Sequence, residues 1–274
     1  MMASLDSLES DKEIIWITGA TSGIGLALTR RLGKQGHRLF ISARNLDKLD
    51  EIADGNPNIV AIPFDITRAG DVPRVQAALM EKTQVLNRLY INAGNCEYLE
   101  ISQPDWPMMK RVMDVNYLGA VNTVAAALPL LQQQGRLASE NRALRPHIIG
   151  VSSQAMLVPF PKAEAYGASK AALSYFLHSL SLDLAIYNID VTDVQPGFVK
   201  TPLTDKNQFD MPFILTAETA AQRILDCSKT RPRTFAFPKR LYWTLKLGRL
   251  FPGIWHKLML PKPDQDSETG KQSK

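Results

Sequence analysis

Short apolar, β-branched runs alternate along this chain with longer stretches whose apolar positions recur every three or four residues. The runs EIIWIT (13–18), RLFISA (38–43), NIVAIPF (58–64), RLYIN (88–92), PHIIGVS (146–152), IDVTDV (189–194) and TFAF (234–237) read as buried strands. Helical spacing predicts helices over Ile24–Leu32, around Leu46, Leu49 and Ile52, and over Val72–Leu86, Pro104–Leu131, Ala163–Tyr187 and Ala217–Cys227. Strands and helices in this alternation describe βαβ crossovers. The predicted fold class is α/β: a parallel, doubly wound sheet with helices on both faces.

The pattern also sets the organisation. Residues 1–12 read as a flexible N-terminal tail, 13–238 as one domain, and 239–260 as a basic, aromatic, helical appendage that Phe251-Pro252-Gly253 should break in two. The stretch 261–274, PKPDQDSETGKQSK, has no apolar group and reads as a second flexible tail. The uncharged run Val115–Gly135 has apolar material only over Tyr117–Leu131, short of the roughly 20 residues a membrane span needs, so a core or subunit-interface helix is expected.

At 274 residues, 45% hydrophobic and 22% charged, the chain has the balance of a folded protein and not of a disordered or collagen-like one. Its two cysteines, Cys96 and Cys227, have no CxxC spacing and no nearby histidine, which argues against a disulfide scaffold or a metal site. The opening MMASLDSLESDKE holds acids and no apolar stretch, so no signal peptide is expected and the location is read as cytoplasmic. The net charge of +5 is uneven. Nine lysines or arginines and no acid lie between Cys227 and Pro263, leaving 23 basic against 27 acidic residues elsewhere. Positive charge so confined disfavours a nucleic-acid partner. It offers two readings of 239–260: an element lying on the inner face of an anionic membrane, or a subunit interface or cap over a substrate mouth.

Directly after the first strand comes Thr18-Gly19-Ala20-Thr21-Ser22-Gly23-Ile24-Gly25, and then a helix. Glycines at 19, 23 and 25 permit a tight turn, close backbone approach to a pyrophosphate and close helix packing, with the helix N-terminus facing the phosphates. The spacing GxxxGxG departs from GxGxxG. An acid at the end of the second strand would bind a ribose 2′-hydroxyl, whereas here Ala43 is followed by Arg44, whose fork suits a 2′-phosphate. NADP(H) is therefore preferred, with NAD(H) second. Ser42 and Asn45 could add hydrogen bonds.

Tyr166 and Lys170 are spaced i, i+4 on one helix face, so a cation stands near a phenol and should lower its pKa. Such a tyrosine could hand a proton to a carbonyl oxygen as hydride arrives. Ser153, at the end of the fifth strand, could hold that oxygen. No GxSxG elbow is present to suggest a Ser/His/Asp hydrolase.

TGATSGIG at 18–25, Asn92-Ala93-Gly94, Asn116 in VNYLG, Ser153, Tyr166-x-x-x-Lys170 and Pro196-Gly197 in PGFVKT occur together and in order. Over roughly Ile14 to Phe237 the chain resembles the short-chain dehydrogenase/reductase family. The resemblance implies a seven-stranded Rossmann fold and a tetrad of Asn116, Ser153, Tyr166 and Lys170. It makes Tyr166 the acid/base, Ser153 the group orienting the carbonyl and Lys170 the holder of the nicotinamide ribose, while Asn116 would help hold a water in the proton relay. It further implies an adenine contact at Asp65 with Ile66, an adenosine flank at Asn92, Ala93 and Gly94, and cofactor contacts at Pro196, Gly197, Val199 and Thr201. Oligomers, a homodimer or homotetramer, are also implied.

Two positions depart from the family pattern: Ile91 precedes Asn92 where NNAG is common, and Met156 stands where SSxxG has glycine. The family often forms a lid after PG, here Leu203–Leu215. Met156, Phe160, Phe198, Phe209 and Phe213 would then line an apolar substrate site. The favoured function is an NADP(H)-dependent oxidoreductase acting on a hydrophobic, lipid-like alcohol/carbonyl pair. The alternative is a catalytically silent NADP(H)-binding sensor or interaction protein on the same fold.

Overall fold

The computed structural model describes residues 12–138, 141–205 and 210–260. Seven parallel strands form one sheet: β1 (Ile14–Thr18), β2 (Arg38–Ser42), β3 (Ile59–Ala61), β4 (Arg88–Ile91), β5 (His147–Val151), β6 (Asp190–Pro196) and, after two short strands, β9 (Thr234–Phe237). Their order is β3-β2-β1-β4-β5-β6-β9, so the winding reverses between β1 and β4. Ligands of open α/β sheets bind at such a switch point, beyond the carboxyl ends of the strands.

Alternation along each strand splits the core into two layers. Trp16, Phe40, Leu89 and Ile148 face helices α3 (Val72–Lys82), α5 (Gly119–Ala138) and α6 (Glu164–Asp183). Ile15, Ile17, Leu39, Ile41 and Ile149 face α1 (Gly23–Lys34), α2 (Leu46–Ala53) and α7 (Ala217–Thr230). Trp16 and Phe64 stack with ring centres 6.2 Å apart, both essentially buried. The uncharged run 115–135 falls mainly in α5, which buries Ala120, Val124, Ala127, Leu130 and Leu131 in the core. Among the described residues no helix is long and apolar enough to cross a membrane.

The predicted elements hold with shifted ends. The helix expected from Pro104 begins at Pro107 as α4 (Pro107–Met113) and runs through a π-helical turn, Asp114–Leu118, into α5. That wide turn carries Asn116. The pattern gave no sign of a two-stranded parallel pair, β7 (Val199–Lys200) with β8 (Leu215–Thr216), which brackets the segment expected to form a lid.

The appendage comprises α8 (Lys239–Leu250) and α9 (Pro252–Met259), broken at Phe251 as the sequence predicts. It packs on the domain. Leu241, Leu245 and Trp255 join Leu157 and Val158 in a buried cluster, and Trp255 Nε1 donates to the Pro159 carbonyl at 2.8 Å. The tail residues 1–11 and 261–274 lie outside the described residues.

Candidate active site

The glycine turn is held by contacts that leave no room for side chains. Gly19 and Gly23 adopt φ of +68° and +50°, the left-handed region that glycine tolerates. A Cβ at Gly25 would lie 2.2 Å from the Gly19 carbonyl oxygen, and one at Gly19 2.7 Å from Ala93 Cα. Asn92 Nδ2 donates to the carbonyls of Thr18 and Gly19, each at 3.2 Å, so the loop after β4 braces the turn after β1. Ser22 precedes α1 in extended conformation without capping it by its side chain, and the first turn holds no acid. The leading N–H groups of α1 are therefore available to an anion.

This turn forms the middle of a cleft of about 450 Å³. Gly19, Thr21, Ser22, Gly23 and Ile24 line it, as do Arg44, Asn45, Asp65, Ile66, Asn92, Ala93, Gly94, Pro196, Gly197, Val199 and Thr201. Thr18 and Gly25 do not. Thr18 is buried, donating through Oγ1 to the Tyr90 carbonyl at 3.3 Å, and Gly25 packs against the turn behind the cleft wall.

Beyond β2, Arg44 and Asn45 are exposed, and Asn45 Oδ1 caps α2 by accepting from Lys48 N at 3.0 Å. Lys48 also lines the cleft and adds a second cation beside Arg44 that sequence reasoning missed, although its i, i+4 spacing from Arg44 was visible. Ser42 gives no free hydroxyl. It donates to the Ile62 carbonyl at 2.6 Å and accepts from Trp16 Nε1 at 2.9 Å. Burial raises the Asp65 pKa, but hydrogen bonds from Thr67 and the charges of Arg68 and Arg44 hold it below the usual carboxylate value.

At the other end Ser153, Tyr166 and Lys170 line the same cleft. Ser153 caps the short 3₁₀ turn Gln154–Met156, accepting from Ala155 N at 3.1 Å. Lys170 is buried; its Nζ donates to the Val151 carbonyl at 2.9 Å and stands 5.9 Å from the centre of the Tyr166 ring. The expected lowering of the Tyr166 pKa is not what the protein alone produces. Burial pushes the phenol up to about 12, against a hydrogen bond with Ser153 that favours phenolate. Burial likewise brings Lys170 down to about 8, with Asp193 opposing the shift.

Asn116 is buried and does not line the cleft. Its Oδ1 accepts from Asn95 N at 2.7 Å, while Nδ2 donates to the Asn95 carbonyl at 2.8 Å and to Ser169 Oγ at 2.9 Å. It ties the loop after Gly94 to α6 beneath Tyr166. A further group escaped the sequence reading. Asp193, buried in β6, accepts from Ser152 Oγ, from Ser174 Oγ at 2.6 Å and from Gln195 Nε2 at 2.7 Å, with His178 Nε2 3.4 Å away. An acid within the apolar run IDVTDV was the available signal.

The expected substrate residues are placed differently. Met156, Phe160 and Phe198 do not line the cleft; they pack against the cluster formed with Leu241, Leu245 and Trp255, and Phe160 meets Trp255 edge-on at 5.5 Å. Phe213 is half exposed with φ of +59° and stands apart from the cleft lining. Phe209 lies outside the described residues. Cys96 and Cys227 are buried and form no disulfide. Among the described residues no group of three or more His, Cys, Asp or Glu is placed to hold a metal ion.

Fold and motifs together define a nucleotide-binding oxidoreductase scaffold, and comparison with known proteins agrees. The family model described as short chain dehydrogenase matches residues 13–211, and the chain belongs to that family. It is therefore an oxidoreductase acting on CH–OH or C=O groups. An uncharacterized oxidoreductase of Myxococcus xanthus is 30% identical over 86% of this chain and 91% of its own length. The 11-beta-hydroxysteroid dehydrogenase 1A of Arabidopsis thaliana is 31% identical over 72% of this chain, which spans about half of that protein, 55%. A short chain dehydrogenase from Burkholderia cenocepacia, solved in complex with NADP, superposes with a TM-score of 0.76 at 22% identity, covering 92% of this chain and 98% of its own.

Proposed function

We propose that this oxidoreductase uses NADP(H) to interconvert a hydrophobic carbonyl and its alcohol, with Tyr166 as general acid and base. The observation that carries the reading is a single cleft with the cations Arg44 and Lys48 at one end and Ser153, Tyr166 and Lys170 at the other. The uncapped N-terminus of α1 and the side-chain-free turn at Gly19 and Gly23 fit a pyrophosphate between them. The solved Burkholderia relative, bound to NADP, supports the cofactor class.

When bound, the nicotinamide supplies or accepts the hydride at the substrate carbon. Arg44 and Lys48 would engage the 2′-phosphate, Arg44 by a two-pronged hydrogen bond. Lys170 would hold the ribose hydroxyls and set positive charge beside the phenol. Ser153 would donate to the substrate oxygen and Tyr166 would pass it a proton as negative charge develops there. A phenol whose pKa stands near 12 is protonated at neutral pH, which suits carbonyl reduction. Asn116 acts through Asn95 and Ser169, fixing the floor on which Tyr166 and Lys170 stand.

Apolarity of the substrate is supported by chain adjacency. Phe198 directly follows Gly197 of the cleft wall, and Met156 lies one 3₁₀ turn beyond Ser153. The Arabidopsis relative is named for a hydroxysteroid. The test is NADPH oxidation followed at its absorbance band across carbonyls graded from short and polar to long and apolar. Specificity is expected to rise with apolar size. Binding of NADPH with no turnover on any member, unchanged in Tyr166→Phe, would return the protein to the role of a sensor.

A further inference from the structure

The solvent face of the appendage combines exposed apolar side chains with cations. On α8 the residues Leu241, Leu245 and Gly248 point inward against the domain and Trp255. The opposite face presents Trp243 (66% exposed), Leu247 and Leu250 (70%), with the exposed Lys239 and Lys246 among them. On α9 only Trp255 is buried, and Ile254, Lys257 and Leu258 form the exposed side at i, i+3, i+4 spacing. A shallow groove lined by Leu250, Phe251, Pro252, Gly253, Ile254 and Lys257 joins the two faces across the corner.

Charge decides what can cover this surface. Lys239, Arg240, Lys246, Arg249 and Lys257 are all exposed, and no acid occurs between Cys227 and Pro263. A second copy meeting the patch about a two-fold axis would bring these cations against themselves, because such interfaces are self-complementary. An anionic, partly apolar surface meets both needs. Trp, Leu and Ile side chains enter the headgroup and acyl boundary, while lysine and arginine stems lie along it with their charges outward.

We infer that α8 and α9 form a docking surface for the face of an anionic lipid bilayer. Outside Cys227–Pro263 the chain carries 23 basic against 27 acidic residues, so positive charge is concentrated in the segment that bears this surface, which orients the molecule. Docking also sets Met156, Phe160 and Phe198, packed against the inner side of the same helices, near the lipid. An apolar substrate then has a short path from bilayer to protein. This surface does not depend on the identity of the cofactor or carbonyl.

Flotation of the full-length protein with vesicles tests it. The protein is expected to float with equimolar phosphatidylglycerol and phosphatidylcholine, to stay behind with phosphatidylcholine alone, and to be released by high salt. Reversing Lys246, Arg249 and Lys257 to Glu is expected to lower partitioning about a hundredfold or more, at roughly fivefold or more per cation. Trp243→Ser with Leu250→Ser is expected to release it as well. Because these side chains are exposed, the melting transition of either variant should match the parent, which keeps loss of binding separate from loss of folding. No flotation with anionic vesicles, or flotation indifferent to charge reversal, overturns the proposal. So does a solution oligomer that Trp243→Ser and Leu250→Ser split in light scattering while no vesicle is bound, which would make the patch an interface between copies.

Discussion

Lys170 holds its ammonium 5.9 Å from the centre of the Tyr166 ring while donating at 2.9 Å to the Val151 carbonyl at the end of β5. The lysine is thus anchored to the sheet and shares a cleft wall with the phenol. Burial brings its pKa down to about 8. The ammonium is present below that value and lost above it. kcat/KM for NADPH, which reports groups of the free enzyme, is expected to fall about tenfold per pH unit above about 8. Lys170→Met should give a low, flat profile, and Tyr166→Phe should cost about a hundredfold to ten-thousandfold in turnover. Stability carries the same signature. Between about 8 and the ordinary 10.5 the unfolded chain binds this proton and the folded one does not, so stability from this site rises with pH there. Chemical denaturation should show that rise disappearing in Lys170→Met.

Arg44 and Lys48 are expected to separate NADPH from NADH. Each is exposed, and each lines the cleft at the end expected to hold the adenosine ribose. A charge-assisted hydrogen bond contributes about 1.5–3 kcal/mol. Arg44→Ala is therefore expected to weaken NADPH about tenfold to a hundredfold while leaving NADH within a few fold, read by fluorescence titration. Lys48→Ala should do the same to a smaller degree, since an ammonium meets phosphate as a point charge. Equal losses for the two cofactors would remove the NADP(H) assignment.

Much of this scaffold was legible because strands buried on both faces are continuous apolar runs, and all seven are found where those runs lie. β3 is shorter than its run: the regular strand ends at Ala61, shortly before Pro63, although Ile62 N and Phe64 N still donate to the Ile41 and Ala43 carbonyls. β7 and β8 have two residues each, too few for any periodicity to show. The glycine turn and the Tyr166–Lys170 pair were readable because their chemistry is local. Met156, Phe160 and Phe198 pack against Leu241, Leu245 and Trp255 from the far end of the sequence, a contact no local pattern could show because apolar side chains carry no label of what they will face. The side-chain partners of Asn116, Asn95 and Ser169, are contacts created only by tertiary folding, so no local pattern could show them.

Asp193 connects catalysis to stability. Burial alone would raise its pKa, but hydrogen bonds from His178, Ser152, Ser174 and Gln195 outweigh this and lower it. Its contribution to stability is present above the ordinary carboxylate value and lost as pH falls through the lowered one. His178 is raised, chiefly by its hydrogen bond to Asp193, so its part is present below its ordinary value of 6.5 and lost as pH rises through the raised one. Asp193→Asn keeps the shape and removes the charge. It is expected to cost about 1–3 kcal/mol in urea denaturation. Because the anion opposes the lowering of Lys170, the same substitution should also move the falling limb of the kcat/KM profile below its parental position. A purely structural role for Asp193 would leave that limb in place.

Trp255 is the anchor of the appendage. Its ring lies in the cluster with Leu241, Leu245, Leu157 and Val158, meets Phe160 edge-on at 5.5 Å, and touches the space where a side chain at Gly248 would stand. Its Nε1 donates to the Pro159 carbonyl at 2.8 Å. Trp255→Phe retains part of the packing and loses the hydrogen bond, and is expected to cost about 1 kcal/mol. Trp255→Ala also empties the cluster, and about 3–5 kcal/mol is expected. Both values are read from denaturant midpoints. Since Pro159 and Phe160 hang on this ring, Trp255→Ala should raise KM for an apolar carbonyl well before it alters the Kd for NADPH, whose proposed phosphate-binding part of the cleft is formed by the turns after β1 and β2 and the start of α1. A parallel rise in both constants would show that the appendage supports the whole domain and not the substrate flank alone.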